Sequence, residues 1–68
     1  MTFQVKLNGE PREMPDGATV AQAVAELTVA STGIAAAVNG GVIPRGSWAA
    51  TLLRPGDQIE VVTAVQGG

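Results

Sequence analysis

The stretch Thr2-Phe3-Gln4-Val5-Lys6-Leu7-Asn8-Gly9 decides how this chain begins to fold. Phe3, Val5 and Leu7 alternate with Thr2, Gln4 and Lys6, the period-two pattern of a strand with one buried face. Asn8-Gly9 follows, the pair that best accepts the two positive φ angles of a type I′ hairpin turn. A second strand is expected over residues 10–14. A two-residue turn sets Leu7 opposite Glu10, Val5 opposite Arg12 and Phe3 opposite Met14. Arg12 then falls on the core side. Either its stem covers apolar surface while its head reaches water, or the turn is longer. Pro11 has no N–H to offer a further neighbour, which predicts an edge position for this second strand.

Downstream of the hairpin, Pro15-Asp16-Gly17 reads as a turn. Thr19 is a helix N-cap, and Gln22 three residues on completes a capping box. Val20, Ala23, Val24 and Leu27 share one face of a short helix over residues 20–27, with Gln22 and Glu26 facing outward. The β-branched Thr28 and Val29 weaken its end, and residues 30–33 read as a loop. Residues 34–38 are an apolar run of strand length, expected to be a buried strand. Asn39-Gly40-Gly41 is a turn, and Val42-Ile43 a short return strand stopped by Pro44. Residues 46–50 form a turn or a single helical turn, Leu52-Leu53 supply core contacts, and Pro55-Gly56 turns the chain into a last strand over residues 58–65.

This order implies an α+β domain: a mixed sheet of about five strands with one main helix packed on one face. The two long strands, first and last, are expected side by side and parallel in its centre, because residues 8–57 are ample for the crossover. The domain occupies residues 1–65, and residues 66–68 form a tail ending in Gly67-Gly68.

With 68 residues the core is small, and an apolar content of 46% suits a globular fold. Six acidic residues against four basic ones leave a charge of −2 and no basic stripe. One Phe, one Trp and no Tyr leave no stacking platform, so no nucleic-acid partner is expected. Cys and His are absent, which excludes disulfides, Cys/His metal sites and His-assisted nucleophiles. Residues 27–44 carry no charge, but Thr, Ser, Gly and Asn interrupt them, so no membrane span is read there. The first residues lack a signal-peptide pattern, and a cytoplasmic location fits.

Catalytic sets are missing. Ser31 and Ser47 have no His partner, and neither a G-x-G-x-x-G nor a G-x-x-x-x-G-K loop occurs. The pairs Glu10 with Glu13 and Asp57 with Glu60 read as solvated strand-end or surface carboxylates. Trp48 reads as a half-buried cap over the core with its N–H at the rim, and Arg45 as a solvated or pairing residue.

The closing Gly67-Gly68 pair has two readings: a stub or cloning remnant, or a functional end. On the second reading the reactive group is the terminal carboxylate of Gly68, ionised at neutral pH and a poor electrophile until activated. Glycine lets the backbone approach a ligand closely and leaves the acyl carbon unhindered. Along the last strand, Ile59, Val61 and Thr63 are expected to face the helix. Glu60, Val62 and Ala64 then point to the uncovered side, as a docking face or as ordinary scattered surface residues.

These residues resemble the ThiS family, the sulfur carriers of thiamine biosynthesis with the ubiquitin-like β-grasp fold. The similarity covers essentially the whole chain. It rests on Asn8, Thr19-Val20, Val38-Asn39, Val42-Ile43-Pro44-Arg45 with Trp48, the run from Pro55 to Glu60, and Gly67-Gly68. The sister carrier, the small subunit of molybdopterin synthase, usually has an aromatic residue and prolines before its glycines. Here Val62-Thr63-Ala64-Val65-Gln66 stands instead, which favours the thiamine branch. The resemblance implies a carrier acted on by other enzymes, with no cofactor of its own. A ThiF-type adenylyltransferase would use ATP and Mg to adenylate Gly68. A sulfur donor would convert the adenylate to a thiocarboxylate, and a ThiG-type thiazole synthase would take the sulfur. Gly67, Gln66 and Val65 would thread the partner's channel, and Val62, Ala64 and Glu60 would dock. A carrier for another pathway, a non-covalent interaction module or a ubiquitin-like modifier would present a similar sequence.

Overall fold

The computed structural model describes residues 1–27 and 33–63, the last of these by its backbone alone. β1 (Thr2–Leu7) and β2 (Glu10–Pro15) form the expected antiparallel hairpin, with Leu7 opposite Glu10, Val5 opposite Arg12 and Phe3 opposite Met14. Asn8 and Gly9 turn it with φ of 53° and 83°, both left-handed as a type I′ turn requires. The register leaves Arg12 on the core side, and the turn is no longer than two residues. Arg12 is half-buried, and its Nη1 donates to Glu26 Oε1 at 2.7 Å. Its head therefore ends on a carboxylate of the helix and not simply in water.

α1 (Val20–Leu27) starts where the capping box places it. The Thr19 N–H donates to Gln22 Oε1 at 2.9 Å and the Gln22 N–H to Thr19 Oγ1 at 3.3 Å, so two otherwise orphaned donors are satisfied. The helix start is also sewn to a downstream segment: the Val20 N–H reaches the Thr51 carbonyl and the Leu53 N–H the Ala18 carbonyl, on either side of a Thr19–Leu52 bridge. This bridge corrects one expectation. Leu53 is buried, but Leu52 is 64% exposed, because neighbours on extended chain point to opposite sides. Val20, Ala23 and Val24 are buried as expected, while Leu27, in the last helical turn, stays 38% exposed.

β3 (Ile34–Val38), β4 (Gly41–Ile43) and β5 (Gln58–Thr63) complete one sheet in the order β2-β1-β5-β3-β4. β5 runs parallel to β1 and antiparallel to β3. The two long strands are thus parallel neighbours, and β5 is the middle strand. β4 begins one residue earlier than expected. Asn39-Gly40 is a complete two-residue turn, with φ of 51° and 85°, and sets Val38 opposite Gly41. A 3₁₀ helix (Arg45–Ala50) takes the helical alternative expected at residues 46–50 and starts one residue earlier. β3 is not buried throughout: Ala36 faces the core, while Ala35 is exposed. Among the described residues only one side of the sheet carries a helix, so alternate residues of β3 lie on the open side. The core combines Val5, Leu7 and Met14 of the hairpin, Val20, Ala23 and Val24 of α1, and Ala36, Ile59 and Val61 beneath them. Each large member contributes about 1.5–3 kcal/mol by leaving water. The expected loop and weak helix end at residues 28–32, and residues 64–68, lie outside the described residues.

Candidate functional site

β5 is the element that leads toward Gly67 and Gly68, and its two faces differ. Ile59 and Val61 are buried against the helix layer, while Glu60 and Val62 are exposed on the other side, as alternation predicts. The register places Val62 opposite Ala35 and Glu60 opposite Ala37, with Val42 of β4 opposite Ala37 in turn. Together they line a shallow depression on the open side of the sheet. Alanine accounts for its shape, since short side chains on β3 leave Val42 and Val62 standing at 75% and 60% exposure. Across β5, toward β2, a second depression is lined by Gln4, Val5, Lys6, Pro11, Gly56 and Gln58, so Lys6 and two glutamines border it where alanine and valine border the first. Two of the three predicted docking residues, Glu60 and Val62, therefore share one open face. Ala64, and the channel and carrier residues Val65, Gln66, Gly67 and Gly68, lie outside the described residues.

The sequence reading missed what holds β5 in place. β1 donates from the Asn8 N–H to the Ile59 carbonyl at 2.9 Å and then turns away into the hairpin. A continuing parallel strand would offer its next carbonyl to the Val61 N–H. The Asn8 side chain takes that role: Oδ1 accepts the Val61 N–H at 2.8 Å, and Nδ2 donates to the Val61 carbonyl at 3.1 Å. One amide thus replaces a stretch of strand and satisfies both backbone groups of a buried residue. At the other end of β5, the Asn39 N–H donates to the Gln58 carbonyl at 2.8 Å, and Asn39 Oδ1 accepts the Gln58 N–H at 3.0 Å. Asn39 Nδ2 donates to Asp57 Oδ1 at 3.0 Å, and Asp57 Oδ2 accepts the Arg54 N–H at 2.8 Å. Asp57 is therefore a turn-building acceptor and not merely a solvated carboxylate. The available signal was the choice of Asn twice, where Asp-Gly or Gly-Gly would also turn the chain.

Trp48 is more deeply buried than a half-exposed cap, at 8% exposure, and its Nε1 donates to the Ile43 carbonyl at 2.9 Å. The Arg45 guanidinium lies 5.6 Å from the Trp48 ring centroid, within cation–π range. No cluster of three or more potential metal-ligating side chains occurs among the described residues. No described helix is long and apolar enough to cross a membrane.

The comparisons with known proteins fit this architecture. The ThiS family model matches residues 5–68. The chain is 31% identical over 66 residues to the sulfur carrier protein ThiS of Escherichia coli, covering 97% of this chain and 100% of that one. It is 37% identical over 66 residues to a thiazole synthase of Magnetococcus marinus, of which it spans only 20% of the length. Among solved structures it is similar to the thiamine biosynthesis protein ThiS of Geobacter metallireducens, with a TM-score of 0.73, 30% identity, and 97% and 100% coverage of the two chains. With a β-grasp sheet in the order described and a match that runs over nearly all its residues, the chain belongs to the ThiS family.

Proposed function

We propose that this chain is a sulfur carrier of thiamine biosynthesis and that the terminal carboxylate of Gly68 carries the sulfur. The observation that supports the reading best is the ThiS family match, which extends through residue 68 and so includes both glycines. The chemistry follows from the group. A carboxylate oxygen of Gly68 attacks the α-phosphorus of ATP on an adenylating partner of the ThiF type, and pyrophosphate leaves. Hydrosulfide released by a sulfur donor then attacks the acyl-adenylate at carbon, AMP leaves, and the S–H proton passes to water. The product is a thiocarboxylate, which a thiazole synthase consumes. ATP and Mg belong to the partner's site. The chain contributes the acyl group and no catalytic side chain, consistent with its lack of Cys and His. The cytoplasm supplies the ATP this route needs.

The open side of the sheet is the surface we assign to docking, with Val62 and Glu60 beside Ala35, Ala37 and Val42. Val65, Gln66 and Gly67 then lead Gly68 into the partner's active site. A thiazole synthase partner draws support from the Magnetococcus marinus protein, where a segment like this chain is a fifth of a polypeptide named for that activity.

The test is an intact-mass measurement after incubation with ATP, the cognate adenylating enzyme and a sulfide source. The expected result is replacement of one oxygen by sulfur at Gly68. Absence of that change, or its survival after deletion of Gly68, overturns the reading.

A further inference from the structure

We infer that Asn8 is a positioning residue for the chemistry at Gly68, because its side-chain amide fixes the last described stretch of β5 on the side that β1 has left. The inference rests on the carrier reading above and adds to it a residue far from the chain end in sequence. On one edge, β3 pairs with β5 as far as Thr63. On the other edge the backbone ladder to β1 stops at Leu7 opposite Ile59, followed by the Asn8 N–H on the Ile59 carbonyl. Beyond that point the Asn8 amide meets both the N–H and the carbonyl of Val61. β5 is therefore held from two sides at Val61, and its direction there sets where the chain starts toward Gly68. Without the clamp, that segment is held from one side only. Presenting Gly68 to an activating site then requires fixing Val61 on binding, which Asn8 has already done in the native chain.

The matched comparison is Asn8→Gly against Asn39→Gly. Both keep a residue that accepts positive φ, and each removes one grip on β5, at its end or at its start. Asn8→Asp is a second variant that keeps the turn and the acceptor for the Val61 N–H but loses the donor to the Val61 carbonyl. The measurements are hydrogen exchange at the Val61 and Gln58 amides, and steady-state ATP–pyrophosphate exchange with the cognate adenylating enzyme, varying the carrier. Asn8→Gly is expected to speed exchange at Val61 and to raise the carrier's KM at least ~10-fold, with kcat within about twofold. Asn8→Asp shifts KM in the same direction. Asn39→Gly speeds exchange at Gln58 and leaves KM unchanged. A chain that is merely less stable, yet folded in the assay, would keep its KM.

An unchanged KM in both Asn8 variants overturns the proposal, as does an equal rise in Asn39→Gly. If neither Asn8 variant folds, the residue serves global stability and the proposal falls. If the unaltered chain is not adenylated at all, the carrier reading fails, and the positioning role fails with it.

Discussion

The two Asn-Gly turns have nearly the same backbone and do different work. Asn8-Gly9 has φ of 53° and 83°, and Asn39-Gly40 has φ of 51° and 85°. Each closes a two-residue hairpin, and each places its asparagine beside β5. In both, the side-chain oxygen stands in for the asparagine's own carbonyl, which the left-handed turn has rotated out of the ladder. The difference lies in strand direction. β1 runs parallel to β5, so Asn8 meets β5 late, at Val61; β3 runs antiparallel, so Asn39 meets it at its first residue, Gln58. The Asn8 bonds are part-buried and join backbone groups only, whereas the Asn39 bonds are exposed and include a carboxylate. One device thus starts the central strand in contact with solvent, and the other holds it further along at the buried Val61.

The largest effect follows from that difference in burial. Asn8→Ala should cost about 4 kcal/mol: two part-buried backbone groups lose their partners at ~1–3 kcal/mol each, and alanine resists the left-handed turn. That is most of the stability a domain of this size has. Asn39→Ala should cost about 1 kcal/mol, because water replaces the exposed bonds and mainly the turn strain remains. Urea denaturation of the two variants measures both. Equal losses would mean that the side-chain amides add nothing to the turns.

A charge swap separates the two sites further. Asn39→Asp sets two carboxylates against each other in place of the bond between Asn39 and Asp57, and should cost about 1 kcal/mol or more, partly relieved by salt. Adding Asp57→Asn should restore the loss. The donor then comes from the other partner, while the oxygens facing the Gln58 and Arg54 amides remain. No such exchange exists at Asn8, whose donor meets the Val61 main-chain carbonyl. If the double variant were no more stable than the single one, the Asn39–Asp57 bond would not be what holds that corner.

Substituting the glycines tests the turns without the clamps. Gly9 and Gly40 both have open space where a Cβ would stand, so only the backbone angle resists a side chain. Gly9→Ala and Gly40→Ala should each lower stability by about 1 kcal/mol, and by the same amount. A clear inequality between them would show that the turns differ in more than their asparagine side chains.

Much of this architecture is legible in the sequence because it is local. The alternation of Phe3, Val5 and Leu7, the Thr19–Gln22 box and the Asn-Gly pairs each act over a few residues, and the structure realises all three. The parallel pairing of β1 with β5 follows from strand length and a long enough crossover. What stays hidden depends on distant partners. Asn8 and Val61 are 53 positions apart, and the turn alone already accounts for an asparagine at position 8. The apolar run 34–38 conceals its alternation because alanine suits both faces: Ala36 lies in the core and Ala35 on the open side. The candidate site divides the same way. Alternation along β5 predicts that Glu60 and Val62 point outward, but the depression they share with Val42 needs the strand order.

The smallest effect concerns a tie that the first hairpin has to the helix. Arg12 bonds to Glu26 across 2.7 Å, with the two side chains 35% and 40% exposed. An ion pair that open to solvent contributes about 0.2–1 kcal/mol. Arg12 also sits opposite Val5, so its stem covers core-side surface whatever its head does. The two roles separate by substitution. Arg12→Met keeps an apolar stem and removes the charge, and should cost no more than about 0.5 kcal/mol at low salt. That loss should vanish near 1 M salt, where screening acts within ~3 Å. Arg12→Ala removes the stem as well and should cost roughly 1 kcal/mol more, at either salt concentration. Urea denaturation at the two salt concentrations measures all four values. If methionine cost as much as alanine, and salt abolished both losses, the hairpin would be fastened to the helix by charge. If salt leaves the alanine loss in place, the tie is mainly one of covered surface, and the first turn differs from the second chiefly through Asn8.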